Sequence, residues 1–236
     1  ARPLSGGFAS HCVLVPGTAV VPLPDGLADA VACPANCAVA TSAGALRLAG
    51  VGTGAAVVIQ GAGMLGLQAC AQAAAAGAAA VVAVDLRPER LDLARQFGAT
   101  HVLRADEDPG RLAELARNLT DGRGADAVLE FTGQAGPTET ALDSLRIGGR
   151  LILVGAVFPG PPLRLDPERI IRRLLRIEGL HNYTPDDLVR AVDFLDREKG
   201  RFPFERLVEA RYALDDYESA LRHALDQAPF RVALVP

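Results

Sequence analysis

The sequence predicts an α/β protein, a doubly wound and mainly parallel sheet with helices on both faces. Three observations carry that expectation. Mainly apolar runs at 55–60, 79–84, 125–131 and 150–154 have the length and composition of strands buried on both sides. Helix-forming stretches separate them throughout residues 51–181, the alternation of βαβ units with right-handed crossovers. Between the first two runs lies Gly61-Ala62-Gly63-Met64-Leu65-Gly66, which opens an Ala-rich helix, and the second run stops on Asp85.

That order of strand, glycine turn, helix, strand and acid is the dinucleotide-binding fingerprint. Gly61 permits the tight turn out of the strand. Gly63 has no Cβ to hold a pyrophosphate away from the backbone, and Gly66 lets the helix pack close on the sheet. The helix N-terminus then points free amides at the phosphates. A glycine-rich turn alone is compatible with an ordinary βαβ unit; the flanking strands and the acid favour the nucleotide. A carboxylate at Asp85 accepts from ribose hydroxyls and repels a 2′-phosphate, so NAD is expected over NADP, with Arg87 and Arg90 as the basic neighbours that argue the other way.

A chain of 236 residues, 50% hydrophobic and 22% charged, can bury one large core or two small ones. Its net charge is −4 with no basic block, so nucleic acid is not an expected partner. Cys12, Cys33, Cys37 and Cys70 do not read as a secreted disulfide framework. No signal-peptide pattern opens the sequence. Residues 65–84 are long enough to suggest a membrane span, but they are mostly Ala and Gly, are broken by Gln68, Gln72 and Gly77, and belong to the fingerprint. A soluble, cytoplasmic protein without membrane contact is the expectation.

Taken in order, residues 6–15 and 19–23 have short strand patterns around a Pro16-Gly17 turn, and they need a partner sheet. Residues 28–33 and 35–48 read as helical, with Gly50 as the stop. At their junction Cys33 and Cys37 have CxxxC spacing, unlike a zinc knuckle, and on residue types alone read as small buried thiols. Helices are expected from Pro88 to about 96 and from Pro109 to about 118, with a strand at 101–104. An Asp166-capped helix precedes a strand at 174–180. Thr184-Pro185-Asp186-Asp187 starts a helix running to about Lys199, with Thr as N-cap and acids in the first turn. A helix at 214–225 and a strand at 231–235 end the chain. In a parallel sheet ligands bind at the carboxyl ends of the strands, which places Thr132 and Val154 on the same rim as Gly61.

The segments GGFASHCVLVPGTAVVPLP, CPANCAVAT, GAGMLG, VVAVD, EFTGQ, ILVGA and FRVAL together resemble the zinc-dependent alcohol dehydrogenases of the medium-chain dehydrogenase/reductase superfamily. Among these, GGFASHC, PANCAVAT and GLHNYTPDDL are similar to a subgroup linked to phosphonate breakdown. The resemblance implies a Rossmann NAD-binding domain at 39–181. Residues 1–38 and 182–236 would then be parts of a GroES-like catalytic domain. It further implies that Gly61, Gly63, Met64, Leu65 and Gly66 hold the pyrophosphate, and that Asp85 and Arg90 hold the adenosine ribose. Thr132, Val154, Leu180 and Asn182 would meet the nicotinamide half, Thr41 would pack against it, and Arg231 would reach the pyrophosphate. Cys37 matches the third protein ligand of a catalytic zinc.

The departures from that pattern are specific. His11, His101, His181 and His223 all lie outside the family's Gly-His-Glu segment, and the four-cysteine structural zinc lobe has no counterpart. Zinc is therefore expected only where upstream residues supply further ligands. Three readings stay open at this point. The first is an NAD-dependent alcohol dehydrogenase acting on a small alcohol or carbonyl compound, with most of its catalytic domain outside this chain. The second is a zinc-independent quinone or enoyl reductase relative, and the third a non-catalytic NAD-binding module. The strand at 174–180 is an edge without proline, and the resemblance implies that it pairs with a two-fold mate, so a homodimer through 163–180 is expected.

Overall fold

The computed structural model describes residues 7–106 and 109–236. Six strands form one parallel sheet: β1 (Ala56–Gln60), β2 (Ala80–Asp85), β3 (His101–Arg104), β4 (Ala125–Glu130), β5 (Leu145–Leu153) and β6 (Arg176–Gly179). Their order is β3-β2-β1-β4-β5-β6, which reverses direction between β1 and β4. Open α/β sheets bind ligands at such a reversal. The helices are α1 (Asp29–Ala32), α2 (Ala40–Ala49), α3 (Met64–Ala75), α4 (Pro88–Gln96), α5 (Pro109–Asn118), α6 (Ala135–Ser144), α7 (Pro167–Arg172), α8 (Pro185–Glu198) and α9 (Tyr217–Gln227). A second, two-stranded parallel sheet joins β7 (Ala210–Ala213) to β8 (Val232–Val235). Among the described residues no helix is long and apolar enough to cross a membrane.

Alternation along the strands separates two apolar layers. Val57, Ile59, Val81, Ala83, Leu129 and Ile152 face α2, α3, α4 and α8. Val58, Val82, Val84, Val128 and Leu151 face α5 and α6. Each such Val, Leu or Ile contributes about 1.5–3 kcal/mol on leaving water. Beneath the first layer Phe97, Phe194, Phe202 and Phe204 form a cluster with ring centroids 5.6–6.4 Å apart, several of them edge to face. This cluster ties α4 and α8 to the chain that follows.

The expected fold class and most of the element boundaries are found. Asp166 caps α7 by accepting from the Glu168 amide at 3.0 Å, and Gly50 ends α2 at φ 67°. Several features differ, among them an earlier start of β5 at Leu145, the unexpected strand β7 and a later start of α9 at Tyr217. Residues 7–28 form no strand, although the Pro16-Gly17 turn is present, with the Thr18 amide donating to the Val15 carbonyl at 3.1 Å. The described residues offer this segment no ladder, and Val13, Leu14, Val15 and Val20 stay exposed. Gly6, where that pattern begins, lies outside the described residues. Residues 35–39 form a π-helical turn before α2, so the helix expected at 35–48 is not uniform. Helix α6 was not anticipated because Gly136 and Pro137 fall in its first turn and read as a loop. Strand β6 starts at Arg176 rather than 174, since Leu174 takes φ 52° and breaks the extended run.

Helix α8 is fixed to α2 by one buried group. The Asp187 side chain is fully buried. It accepts from Arg47 Nε and Nη2 at 2.8 Å each, and from the Thr184 amide and hydroxyl at 3.0 and 2.8 Å. The Arg47 guanidinium, supported by Thr184, outweighs burial and holds the Asp187 carboxyl down at about 2. An acid held below its unfolded value near 3.9 stabilises the fold above that pH and loses the contribution as pH falls toward its folded value. Asp187→Asn should therefore cost roughly 2 kcal/mol at neutral pH by urea denaturation. The gap from wild type should close between about pH 4 and pH 2. A gap independent of pH would show that the ionised pair does not stabilise α8.

Candidate functional site

The carboxyl ends of β1, β2 and β4 open on a cleft of about 660 Å³. Asp85, Arg87 and Arg90 line it from the β2 side, and Thr132, Gln134 and Pro137 from the β4 side, with Gly61 and Gly63 at the end of β1. Gly61 turns out of β1 at φ 91° with its amide on the Val84 carbonyl at 2.8 Å. A Cβ at Gly66 would stand 1.8 Å from the Gly61 carbonyl oxygen, so only glycine lets α3 start this close to the turn. Gly63 differs, because nothing lies within 4 Å of where its Cβ would be. It is the N-cap of α3 and has no side chain to cover the amides there. Met64 is buried, and the Leu65 carbonyl accepts the Ser42 hydroxyl at 2.8 Å, which locks α3 to α2.

Asp85 closes the turn from the neighbouring strand. One carboxylate oxygen accepts the Ala62 amide at 2.7 Å, and the other accepts the Arg87 amide at 3.0 Å. Each oxygen has a further acceptor site, so both can still take a hydroxyl from a ligand. Arg90 Nη1 stands 3.9 Å from Asp85, and its guanidinium lies 5.5 Å from the centre of the Phe230 ring. The C-terminal segment is thereby brought against the acidic end of the cleft. Arg231, the next residue, is half-buried and not among the cleft-lining residues. Burial pushes the Cys33 thiol up, and the charges of Arg231 and Arg211 pull it part of the way back, which puts Arg231 on the Cys33 side.

The rest of the rim is backbone-built. The buried Val154 donates its amide to the Glu130 carbonyl at 2.9 Å, and the Leu180 amide donates to the Leu153 carbonyl at 2.9 Å. Asn182 is exposed with φ 61°, and Thr41 is buried in α2. The reading of Cys33 and Cys37 as buried thiols is corrected here. Both are exposed, although the Cys33 sulfur is partly covered where it donates to the Ala30 carbonyl at 3.6 Å. Cys70 is the buried thiol, pushed up to about 12 by burial and so chemically inert.

A catalytic zinc needs three protein ligands. Among the described residues no three His, Cys, Asp or Glu side chains converge as a metal site, so Cys37 alone does not fit one. Two buried polar residues at the ends of β1 and β4, Gln60 and Glu130, were not singled out from the sequence. Their signal was a polar residue closing a run of apolar strand positions, Val57–Ile59 before Gln60 and Ala127–Leu129 before Glu130.

Comparison with known proteins gives a consistent neighbourhood. The family profile described as zinc-binding dehydrogenase matches residues 65–197. The 5-exo-hydroxycamphor dehydrogenase of Pseudomonas putida is 30% identical over 222 residues, 93% of this chain and 62% of that protein. An L-threonine 3-dehydrogenase of Rhizobium etli is 32% identical over 74% of this chain and 49% of its own length. The crystal structure of an alcohol dehydrogenase from Thermotoga maritima superposes with a TM-score of 0.82 at 29% identity, covering 87% of this chain and 57% of that one. The chain thus spans about half to three-fifths of the length of these relatives.

The two glycines that differ in their surroundings should separate folding from binding. Gly66→Ala forces its methyl into the Gly61 carbonyl and should cost about 3 kcal/mol or more in urea denaturation, the scale of severe overpacking. Gly63→Ala meets open space at φ −79° and loses only an N-cap preference, so its stability should stay within about 1 kcal/mol of wild type while a dinucleotide titration loses affinity about tenfold. Equal stability of Gly66→Ala and wild type would show that α3 does not depend on that approach.

Proposed function

This chain belongs to the zinc-binding dehydrogenase family, and we propose that it is the cofactor-binding part of an NAD-dependent alcohol dehydrogenase. The observation that carries the reading is the glycine turn tied to Asp85 at the reversal of strand order. Its residues fit a dinucleotide. Open space at Gly63 admits the pyrophosphate to the first amides of α3, and Asp85 keeps acceptor sites for two ribose hydroxyls. Bound NAD supplies the hydride acceptor for the carbinol carbon of an alcohol. Arg90 supports the ribose from the side of Asp85, whereas Arg231, half-buried on the Cys33 side and outside the cleft lining, is left without the pyrophosphate role that the family resemblance implies. Thr132, Val154, Leu180 and Asn182 frame the nicotinamide half through their backbone, with Thr41 packed against it.

In this proposal residues 39–181 are the NAD-binding domain, and residues 1–38 and 182–236 belong with a GroES-like catalytic domain. Cys37 becomes a zinc ligand only together with ligands from outside this chain. The substrate is a small alcohol or the matching carbonyl compound, and the setting is the cytoplasm. Hydroxycamphor and threonine, named in the relatives, both carry a secondary hydroxyl, which supports that class.

We also propose a homodimer. Among the described residues β6 is an outer strand of the sheet, with no strand paired on its far side. Ile147, Ile171 and Leu174, at or near that edge, are 64–72% exposed, an apolar surface that pairing would cover.

Two measurements test these assignments. Wild type should bind NAD at least tenfold more tightly than NADP, and Asp85→Ser should shrink that ratio by weakening NAD and admitting NADP. NADP binding as tight as NAD to the wild-type chain would remove Asp85 from its role. Light scattering at micromolar concentration should report twice the chain mass, and Ile177→Pro, which removes a ladder donor, should give a single chain. A wild-type monomer would overturn the dimer.

A further inference from the structure

Glu130 is fully buried and closes β4 directly beside Gln60, its register partner on β1, which is also buried. Both lie on the α6 face of the sheet, where the remaining buried strand residues are apolar. No cation partners Glu130 among the hydrogen bonds and ion pairs of the described residues. Its side chain accepts instead from one short turn. The Thr132 amide donates to Oε1 at 2.6 Å, the Thr132 hydroxyl donates to the same oxygen, and the Gly133 amide lies 3.0 and 3.1 Å from Oε1 and Oε2. The Thr132 hydroxyl in turn accepts the Gln134 amide at 3.1 Å. The main chain of Glu130 holds the adjacent rim, since its carbonyl accepts the Val154 and Gly155 amides at 2.9 and 3.0 Å. Gln60 continues the scaffold, with Nε2 donating to the Pro137 carbonyl at 2.9 Å in the first turn of α6. Its Oε1 is buried without a partner.

Every residue reached by these bonds lies in or beside the cleft wall that faces Asp85. The wall packs close on the glycine turn, since a Cβ at Gly61 would stand 3.0 Å from the Thr132 methyl. Burying a carboxyl side chain is costly, and here its hydrogen bonds secure only the path of residues 132–134. We infer that Glu130 is a positioning residue for the cofactor reaction, holding residues 132–134 in their binding shape before any nucleotide arrives. This rests on the nucleotide reading of the cleft. Its role is to lower the ordering cost that binding would otherwise carry. In Glu130→Gln one acceptor becomes an NH₂ donor that faces the Thr132 or Gly133 amide, and the turn loses its shape.

The test is a double-mutant cycle read by NAD titration calorimetry on wild type, Glu130→Gln, Thr132→Val and the double variant, with Thr132→Ser as the conservative control. Each single variant should weaken NAD about tenfold, the double variant should lose no more than the worse single, and Thr132→Ser, which keeps the hydroxyl, should recover most of what Thr132→Val loses. Additive losses would show the Thr132 hydroxyl acting on NAD directly and would overturn the inference, as would a Glu130→Gln affinity within twofold of wild type. If Glu130→Gln does not fold, hydrogen exchange on ligand-free wild type decides. Slow Thr132 and Gly133 amides support preorganisation, and amides that are fast until NAD is added overturn it. A wild-type chain that binds no NAD would count against the nucleotide reading itself, while the exchange measurement would still report whether the turn is held.

Discussion

The approach of α3 to the Gly61 carbonyl is the constraint on which the rest of the cleft depends. With 1.8 Å between that oxygen and a hypothetical Gly66 Cβ, the helix can start only where glycine permits. This places the N-cap Gly63 at the mouth of the turn, and it brings Ala62 within 2.7 Å of Asp85 on the adjacent strand. The turn, the helix start and the acid are therefore one rigid unit. Its rigidity comes from backbone packing, and the side chains it presents to the cleft are few. That suits a ligand bound through its phosphates and sugar hydroxyls, which backbone amides and one carboxylate recognise.

Three buried acids repeat one device at different places. Asp85 accepts two backbone amides of the turn and of the loop after β2. Glu130 accepts those of residues 132 and 133. Asp187 accepts the amide that begins α8 together with the Arg47 fork. In each case an acid at or beside the end of an element fixes the path of the chain where it leaves or enters regular structure. Only Asp187 is paired with a guanidinium at hydrogen-bond distance, and it joins two helices. The other two hold loops, where oriented amides match an acceptor in geometry and leave part of it available.

Much of the sheet was legible in the sequence because its strands are short apolar runs bounded by Gly, Pro and Asp. Helices α4, α5 and α8 were legible because proline marks each start. The signals failed where the determining contact is distant. Residues 13–15 and 19–23 have strand composition, yet a strand exists only through a neighbour, and the described residues provide none there. Gly136 and Pro137 read as a loop, but proline is tolerated in the first turn of a helix, and Gln60 holds the Pro137 carbonyl in place. In the site, Gly61, Gly66 and Asp85 were legible because the motif states its own geometry. Glu130 was not, because its role depends on lying opposite Gln60 across two strands, a register that spacing along one chain does not express.

The segment after residue 182 connects these parts. Asp187 seats α8 on α2 through Arg47, and the phenylalanine cluster carries that attachment into residues 202–204. From there the chain passes through β7 and α9, and Phe230 comes to rest under the Arg90 guanidinium. Phe230 does not line the cleft itself, but it meets Arg90, which does. The Arg47–Asp187 pair holds the start of α8, and the phenylalanine cluster and the β7–β8 pairing hold the chain after it. The ion pair that seats α8 and the ring contact that meets Arg90 thus lie at the two ends of one returning segment.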